Sequence, residues 1–135
     1  MRILIADDRK DEAHSLANRL SAEGYEVAVA TDGAETVSTV RCHHVDLVLL
    51  NTSFPPDVSH GGGALTDGFL VIEWLKRMEE GAGVRIILMT EQDPATLQER
   101  ARASGAIALF PKPVNHDALV GVLQQVFGTI EQAAS

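Results

Sequence analysis

The stretch VDLVLLNTSFPP, residues 45–56, decides the fold. It is a short apolar run that stops abruptly at an amide, Asn51, followed by Thr52, Ser53, Phe54 and a proline pair. A run of this length bounded by turn residues reads as a strand buried on both faces. Such strands belong to parallel sheets covered by helices. In those sheets ligands sit beyond the carboxyl ends of the strands. Asn51 therefore marks the crevice where this chain does whatever chemistry it does.

Outward from that strand the chain alternates. Towards the N-terminus, Arg2 to Ala6 is a strand, Ala13, Leu16, Ala17 and Leu20 recur at helical spacing until Gly24, and Tyr25 to Ala30 is a second strand. Asp32 with Glu35 three residues on starts a helix that turns Ala34, Val37 and Val40 inward, and the third strand then runs from Asp46 to Leu50. Towards the C-terminus, Asp67 caps a helix with a stripe of Phe69, Ile72 and Leu75, extended by Val71 and Met78 and ended by Gly81 and Gly83. Arg85 to Met89 is the fourth strand. Asp93-Pro94 opens a helix with Leu97 and Ala101 inward, because proline fits the first helical position, where no N–H is needed; Gly105 ends it. Ile107 to Phe110 is the fifth strand, and Asn115 caps a last helix bearing Leu119, Val122, Leu123 and Val126, expected to end near Phe127. Right-handed crossovers leave a doubly wound α/β fold: five parallel strands and five helices, in one domain of residues 1–128 with a tail or linker at 129–135.

Composition agrees with that scheme and excludes others. A chain of 135 residues with 45% hydrophobic and 22% charged residues buries a core without disulfide or metal staples. A net charge of −8 argues against a grip on nucleic acid by this domain. No apolar run reaches the roughly 20 residues of a membrane span, and Met1-Arg2-Ile3 leads straight into a strand, so a cytoplasmic location without a signal peptide is expected. Cys42 is the single cysteine; beside His43 and His44 it reads as a half-buried small residue, since adjacent helix positions point in different directions and make a poor metal site.

The polar residues at the strand ends form a set. Asp7 and Asp8 follow the first strand, Asn51 the third, Thr90 the fourth, and Lys112 the fifth within Pro111-Lys112-Pro113. Singly each has a bland explanation, as a helix cap or a solvated lysine. Together they converge on one crevice.

With ILIADD, DLVLLN, IILMT and FPKP in this order and spacing, the chain resembles the receiver domains of response regulators in two-component signalling, from residue 1 to about 127. The resemblance implies a flavodoxin-like strand order of 2-1-3-4-5. It also implies an acidic pair, Asp7 and Asp8, that holds Mg²⁺ with the Ser53 carbonyl, a switch hydroxyl at Thr90, a phosphate-contacting Lys112, and a cis Lys112-Pro113 peptide. Partners implied are a histidine kinase, an output domain or another signalling protein, met through the fourth helix, fifth strand and fifth helix.

Three departures from the pattern carry the functional expectation. Asn51 stands at the phosphoacceptor position, and a neutral amide offers no nucleophilic oxyanion for an acyl phosphate. Mg²⁺ affinity is expected to be weak, or the site vacant, because one carboxylate is missing. Leu109 stands where the family usually carries the aromatic residue that follows the Thr, while Phe110 points to the other face. Finally, Asp57 to Leu65 is an extra segment with Gly61, Gly62 and Gly63, reading as a flexible connector, since no Lys-Ser/Thr follows to complete a P-loop. The expected function is a phosphorylation-independent interaction module rather than an enzyme. The alternative is a working phosphoacceptor domain, with Asn51 engineered or Asp57 or Asp67 acting as surrogate. A haloacid-dehalogenase-like phosphatase with Asp7 as nucleophile lacks its Asp-x-Asp, because Arg9 stands two residues beyond Asp7.

Overall fold

A computed structural model describes residues 1–54 and 67–134, with the backbone alone over 128–134. The extra segment Asp57 to Leu65, its three glycines and the surrogate acid Asp57 lie outside the described residues. In chain order the elements are β1 (Arg2–Ala6), α1 (Lys10–Ala22), β2 (Glu26–Ala30), α2 (Gly33–Cys42) and β3 (Leu47–Asn51), then α3 (Gly68–Arg77), β4 (Arg85–Thr90), α4 (Pro94–Ser104), β5 (Ala108–Pro111) and α5 (His116–Ala134).

The five strands form one parallel sheet in the order β2-β1-β3-β4-β5. Its register places Ala6 beside Leu50 and Asn51 beside Met89, so the carboxyl ends of β1, β3 and β4 finish at the same edge. Each strand divides its side chains between two cores. Ile3, Ile5, Leu47 and Leu49 pack with Ala13 and Leu20 of α1 and Leu119, Leu123 and Phe127 of α5. Leu4, Val48, Leu50 and Leu88 pack with Val37 and Val40 of α2, the Phe69, Val71, Ile72 and Leu75 face of α3, and Ala101 of α4. Burying one such Leu or Ile contributes about 1.5–3 kcal/mol, and β3 is buried along its whole length.

The helix starts follow their capping residues. Asp32, Asp67, Asp93 and Asn115 accept hydrogen bonds from the backbone N–H groups of Glu35, Phe69, Ala95 and Ala118. Glu35 reaches back to the Thr31 N–H at 2.6 Å, one residue before the expected capping-box partner. Two turns need positive φ and have glycine: Gly24 at 101° after α1 and Gly105 at 87° after α4.

Two expectations are corrected. The backbone of α5 continues to Ala134 rather than ending near Phe127, because Thr129 to Ala134 contains no glycine or proline to break it. Cys42 is exposed, not half-buried: it is the last residue of α2, beyond the inward-facing Val37 and Val40.

Candidate functional site

The carboxyl-end edge of the sheet collects the residues that the sequence singled out. Asp7 leaves β1 with its backbone N–H on the Ala30 carbonyl at 3.0 Å, so the strand ladder itself aims its side chain. That side chain is 3% exposed, and both its oxygens accept hydrogen bonds. Asp7 Oδ1 accepts from the Arg9 backbone N–H at 3.0 Å and from Asn51 Nδ2 at 3.5 Å, while Oδ2 accepts from Lys112 Nζ at 2.6 Å. Asn51 Nδ2 also donates to Asp8 Oδ1 at 3.1 Å. The amide thus points its donor at the acidic pair.

Backbone packing holds Asn51 in place. The Thr52 N–H donates to Met89 O at 2.9 Å and the Gly68 N–H to Thr52 O at 2.9 Å, while Ser53 and Asp67 form an isolated antiparallel bridge. Gly68 packs so tightly that a Cβ there would collide with the Asn51 carbonyl oxygen and lie 3.0 Å from Thr52 Cα. The Asp-Gly pair at 67–68 therefore lets the chain close onto the end of β3. Asp67, at the start of α3, pairs with Arg100 at 2.7 Å, and the Arg100 guanidinium lies over the Phe69 ring.

Lys112 enters the crevice from the β5–α5 connection, followed by a cis Lys112-Pro113 peptide, as the resemblance implied. Its side chain is only 8% exposed, so the solvated-lysine reading fails. Besides Asp7, its ammonium meets Glu12 at 3.1 Å and Glu91 at 3.9 Å. Burial alone would depress its pKa; the hydrogen bond and charge of Asp7, then those of Glu12, outweigh burial and hold it above the usual lysine value.

Thr90 ends β4, fully buried, with its hydroxyl accepting from the Gln92 N–H at 3.0 Å. Ser53, Asp8 and Asn51 share a cavity of about 370 Å³ with Arg9, Glu91 and Gln92. Leu109 lies elsewhere. It packs with the α2–α4 core and lines a groove of about 400 Å³ with Pro94, Gln98, Arg102 and Ile107, while Phe110 packs with the opposite core.

The sequence reading missed Arg9, Glu12 and Glu91. Arg9 bridges Glu91 at 2.8 Å and Glu12 at 3.5 Å, the two acids that also meet Lys112. The only sequence signal was an acid one turn into α1 and another directly after Thr90.

A divalent cation of the magnesium kind takes oxygen ligands, typically one or two carboxylates with several waters retained. Here both Asp7 oxygens and one Asp8 oxygen already accept hydrogen bonds, and Asn51 turns N–H rather than oxygen towards them. Among the described residues no group of three or more His, Cys, Asp or Glu side chains is arranged to hold a metal. Asp7, Asp8 and the Ser53 carbonyl are the groups that would hold the ion, with an amide where a third carboxylate would stand.

A doubly wound sheet that ends in an acidic pair, a buried hydroxyl and a buried lysine is the architecture of a signalling receiver. The family model for the response regulator receiver domain matches residues 3–124. The chain belongs to that family. A response regulator receiver protein of Anaeromyxobacter sp. (strain Fw109-5) is 34% identical over 113 residues, covering 84% of this chain; the chain spans 43% of that relative's length. Protein PilH of Pseudomonas aeruginosa is 27% identical over 125 residues, covering 93% of this chain and 96% of PilH. Among solved structures, the CheY-like receiver domain protein of Methanospirillum hungatei JF-1 superposes with a TM-score of 0.80 at 25% identity, covering 98% of this chain and 97% of its own. Receiver domains are signalling modules, and among the described residues no helix is long and apolar enough to cross a membrane.

Proposed function

We propose that this receiver domain works as an interaction module that signals without being phosphorylated, its unit of function being residues 1–128. One observation carries the reading: Asn51 stands at the end of β3 with its amide donating to Asp8 and Asp7. A carboxylate at residue 51 would be a nucleophile beside two other acids, in need of a cation. The amide is neither, and it neutralises the local repulsion by hydrogen bonding. Lys112, captured by Asp7, offsets one of the two charges of the acidic pair internally. The site is thereby a static structural core, with Mg²⁺ binding weak at most.

The partner is a histidine kinase, an output domain or another signalling protein, met on the α4–β5–α5 surface. That surface presents the groove lined by Leu109 and the exposed Ile107. With Leu109 there, no ring is available to follow a movement of Thr90, so one conformation is presented.

The test is intact mass after incubation with acetyl phosphate and Mg²⁺. The mass stays unchanged. A stoichiometric gain of about 80 Da, one phosphoryl group, overturns the proposal and supports a phosphoaccepting receiver with a surrogate acid.

A further inference from the structure

We propose that Arg9, Glu12 and Glu91 form a second lock on the crevice, independent of residue 51, by holding Lys112 and the β4–α4 loop on internal partners. The inference rests on the phosphorylation-independent reading and deepens it.

The argument is one of charge and connectivity. Lys112 Nζ is 2.6 Å from Asp7, 3.1 Å from Glu12 and 3.9 Å from Glu91. An ammonium has three donors, and three carboxylates surround this one. Arg9, the other cation of the crevice, is held by Glu91 at 2.8 Å and Glu12 at 3.5 Å. Glu12 and Glu91 thus serve both cations at once, occupying the positive groups that an arriving phosphoryl group would need. They also tie together four pieces of chain: the β1–α1 loop through Arg9, α1 through Glu12, the β4–α4 loop through Glu91 and the β5–α5 loop through Lys112. Glu91 lies between Thr90 and Gln92, whose N–H is bonded to the Thr90 hydroxyl. The loop that would carry the hydroxyl inward is therefore fastened at Glu91 and closed on itself at Gln92.

Arg9, Glu12 and Glu91 are positioning residues; none would touch the reacting atoms. Restoring the carboxylate by Asn51→Asp should thus restore phosphorylation only in part. In the test reaction a residue 51 carboxylate oxygen attacks the phosphorus of acetyl phosphate. The bond from phosphorus to the acetyl oxygen breaks, acetate leaves with that electron pair, and an acyl phosphate remains. The rate is read by intact mass, with Mg²⁺ present, for Asn51→Asp alone, Asn51→Asp with Glu12→Gln and Glu91→Gln, and Asn51→Asp with Asp11→Asn. Glu12, Glu91 and Arg9 are about half exposed, so their ion pairs are individually weak and releasing both acids should raise the rate about tenfold. Asp11 lines a groove that Asp7, Glu12 and Lys112 also border, pairs with neither cation of the lock, and measures the general effect of removing a negative charge there; its variant should stay within about twofold of Asn51→Asp.

An equal rate in all three, no phosphorylation in any, or an equal gain from Asp11→Asn overturns the lock. Because the triple variant carries a folding risk, Glu91→Gln in the otherwise natural chain supplies a second readout. Hydrogen exchange of the Gln92 N–H should accelerate about tenfold as the loop is released; unchanged exchange overturns the proposal. Phosphorylation of the natural chain would instead refute the reading on which the lock rests, so the two failures are distinguishable.

Discussion

Replacing Asn51 by Asp should make the metal-free protein less stable, although the change restores the residue usual for the family. The amide donates to Asp8 Oδ1 at 3.1 Å and, more weakly, to Asp7 Oδ1 at 3.5 Å. A hydrogen bond to a charged group contributes about 1.5–3 kcal/mol, and the variant loses it. In its place stands a third carboxylate. Two like charges 4 Å apart repel by about 4 kcal/mol at an effective dielectric of 20, much of which proton uptake by one carboxyl relieves. A net loss of about 2–4 kcal/mol follows, or about 8–15 °C in Tm for a domain of this size. A divalent cation reverses the sign of the local field, and at about one hundred times its dissociation constant it returns about 2.7 kcal/mol. Thermal melts of both proteins with and without Mg²⁺ provide the assay. The natural chain should shift by less than about 1 °C with Mg²⁺, while the variant regains most of its loss. An Asn51→Asp protein that is at least as stable as the natural one without Mg²⁺, or a natural chain stabilised by Mg²⁺ to the same extent, refutes the reasoning.

Four further outcomes follow from the geometry. Lys112→Met strips the cation from Asp7, whose side chain is 3% exposed, and should cost about 3–5 kcal/mol in urea unfolding; Asp7→Asn in the same chain should recover part of it. Gly68→Ala, whose Cβ would lie 3.0 Å from Thr52 Cα and against the Asn51 carbonyl, should cost at least about 1–3 kcal/mol. Gly121→Ala in α5, with open space around it, should be neutral or stabilising by up to about 1 kcal/mol. The fourth outcome concerns Asp46. Burial opposes its ionisation, but the Arg2 N–H and the neighbouring His44 hold its pKa below the ordinary carboxylate value. A depressed folded-state pKa gives stability that is present above the unfolded value of 3.8 and lost as pH falls through the folded one. Asp46→Asn should flatten the acid limb of the stability curve below about pH 4, and an unchanged limb would contradict the assignment.

Much of this was legible because local chemistry and tertiary placement agree. The capping acids at Asp32, Asp67 and Asp93 announce helices, and each does cap one. The uninterrupted LVLL before Asn51 announces a strand covered on both faces, and all of β3 is buried. Strand ends slip by a residue: β3 takes in Asn51 and β5 begins at Ala108. There the apolar run stops before the ladder does, or starts before it. Glu12 and Glu91 were hidden for a different reason. An acid in the first turn of a helix already has a sufficient explanation in the helix dipole, and nothing local to Glu91 points to Lys112. Their meaning lies in contacts that only the closed sheet creates: Glu91 meets Arg9, 82 residues before it, and Glu12 meets Lys112 from the far side of the chain. Leu109 shows the opposite case. Strand alternation placed it and Phe110 on opposite faces, and the two cores divide them accordingly.

The central claim, that residue 51 makes this receiver deaf to phosphorylation, is tested most directly by adding beryllofluoride and Mg²⁺ to the natural protein and comparing amide chemical shifts. Beryllofluoride stands in for a phosphoryl group on an aspartate. The account predicts an unchanged spectrum for the natural chain and, for Asn51→Asp, shifts confined to the neighbours of Asp7, Asp8, residue 51, Thr90 and Lys112. Shifts at those positions in the natural chain, or shifts in the variant that run along α4 and β5 past Leu109, would contradict it.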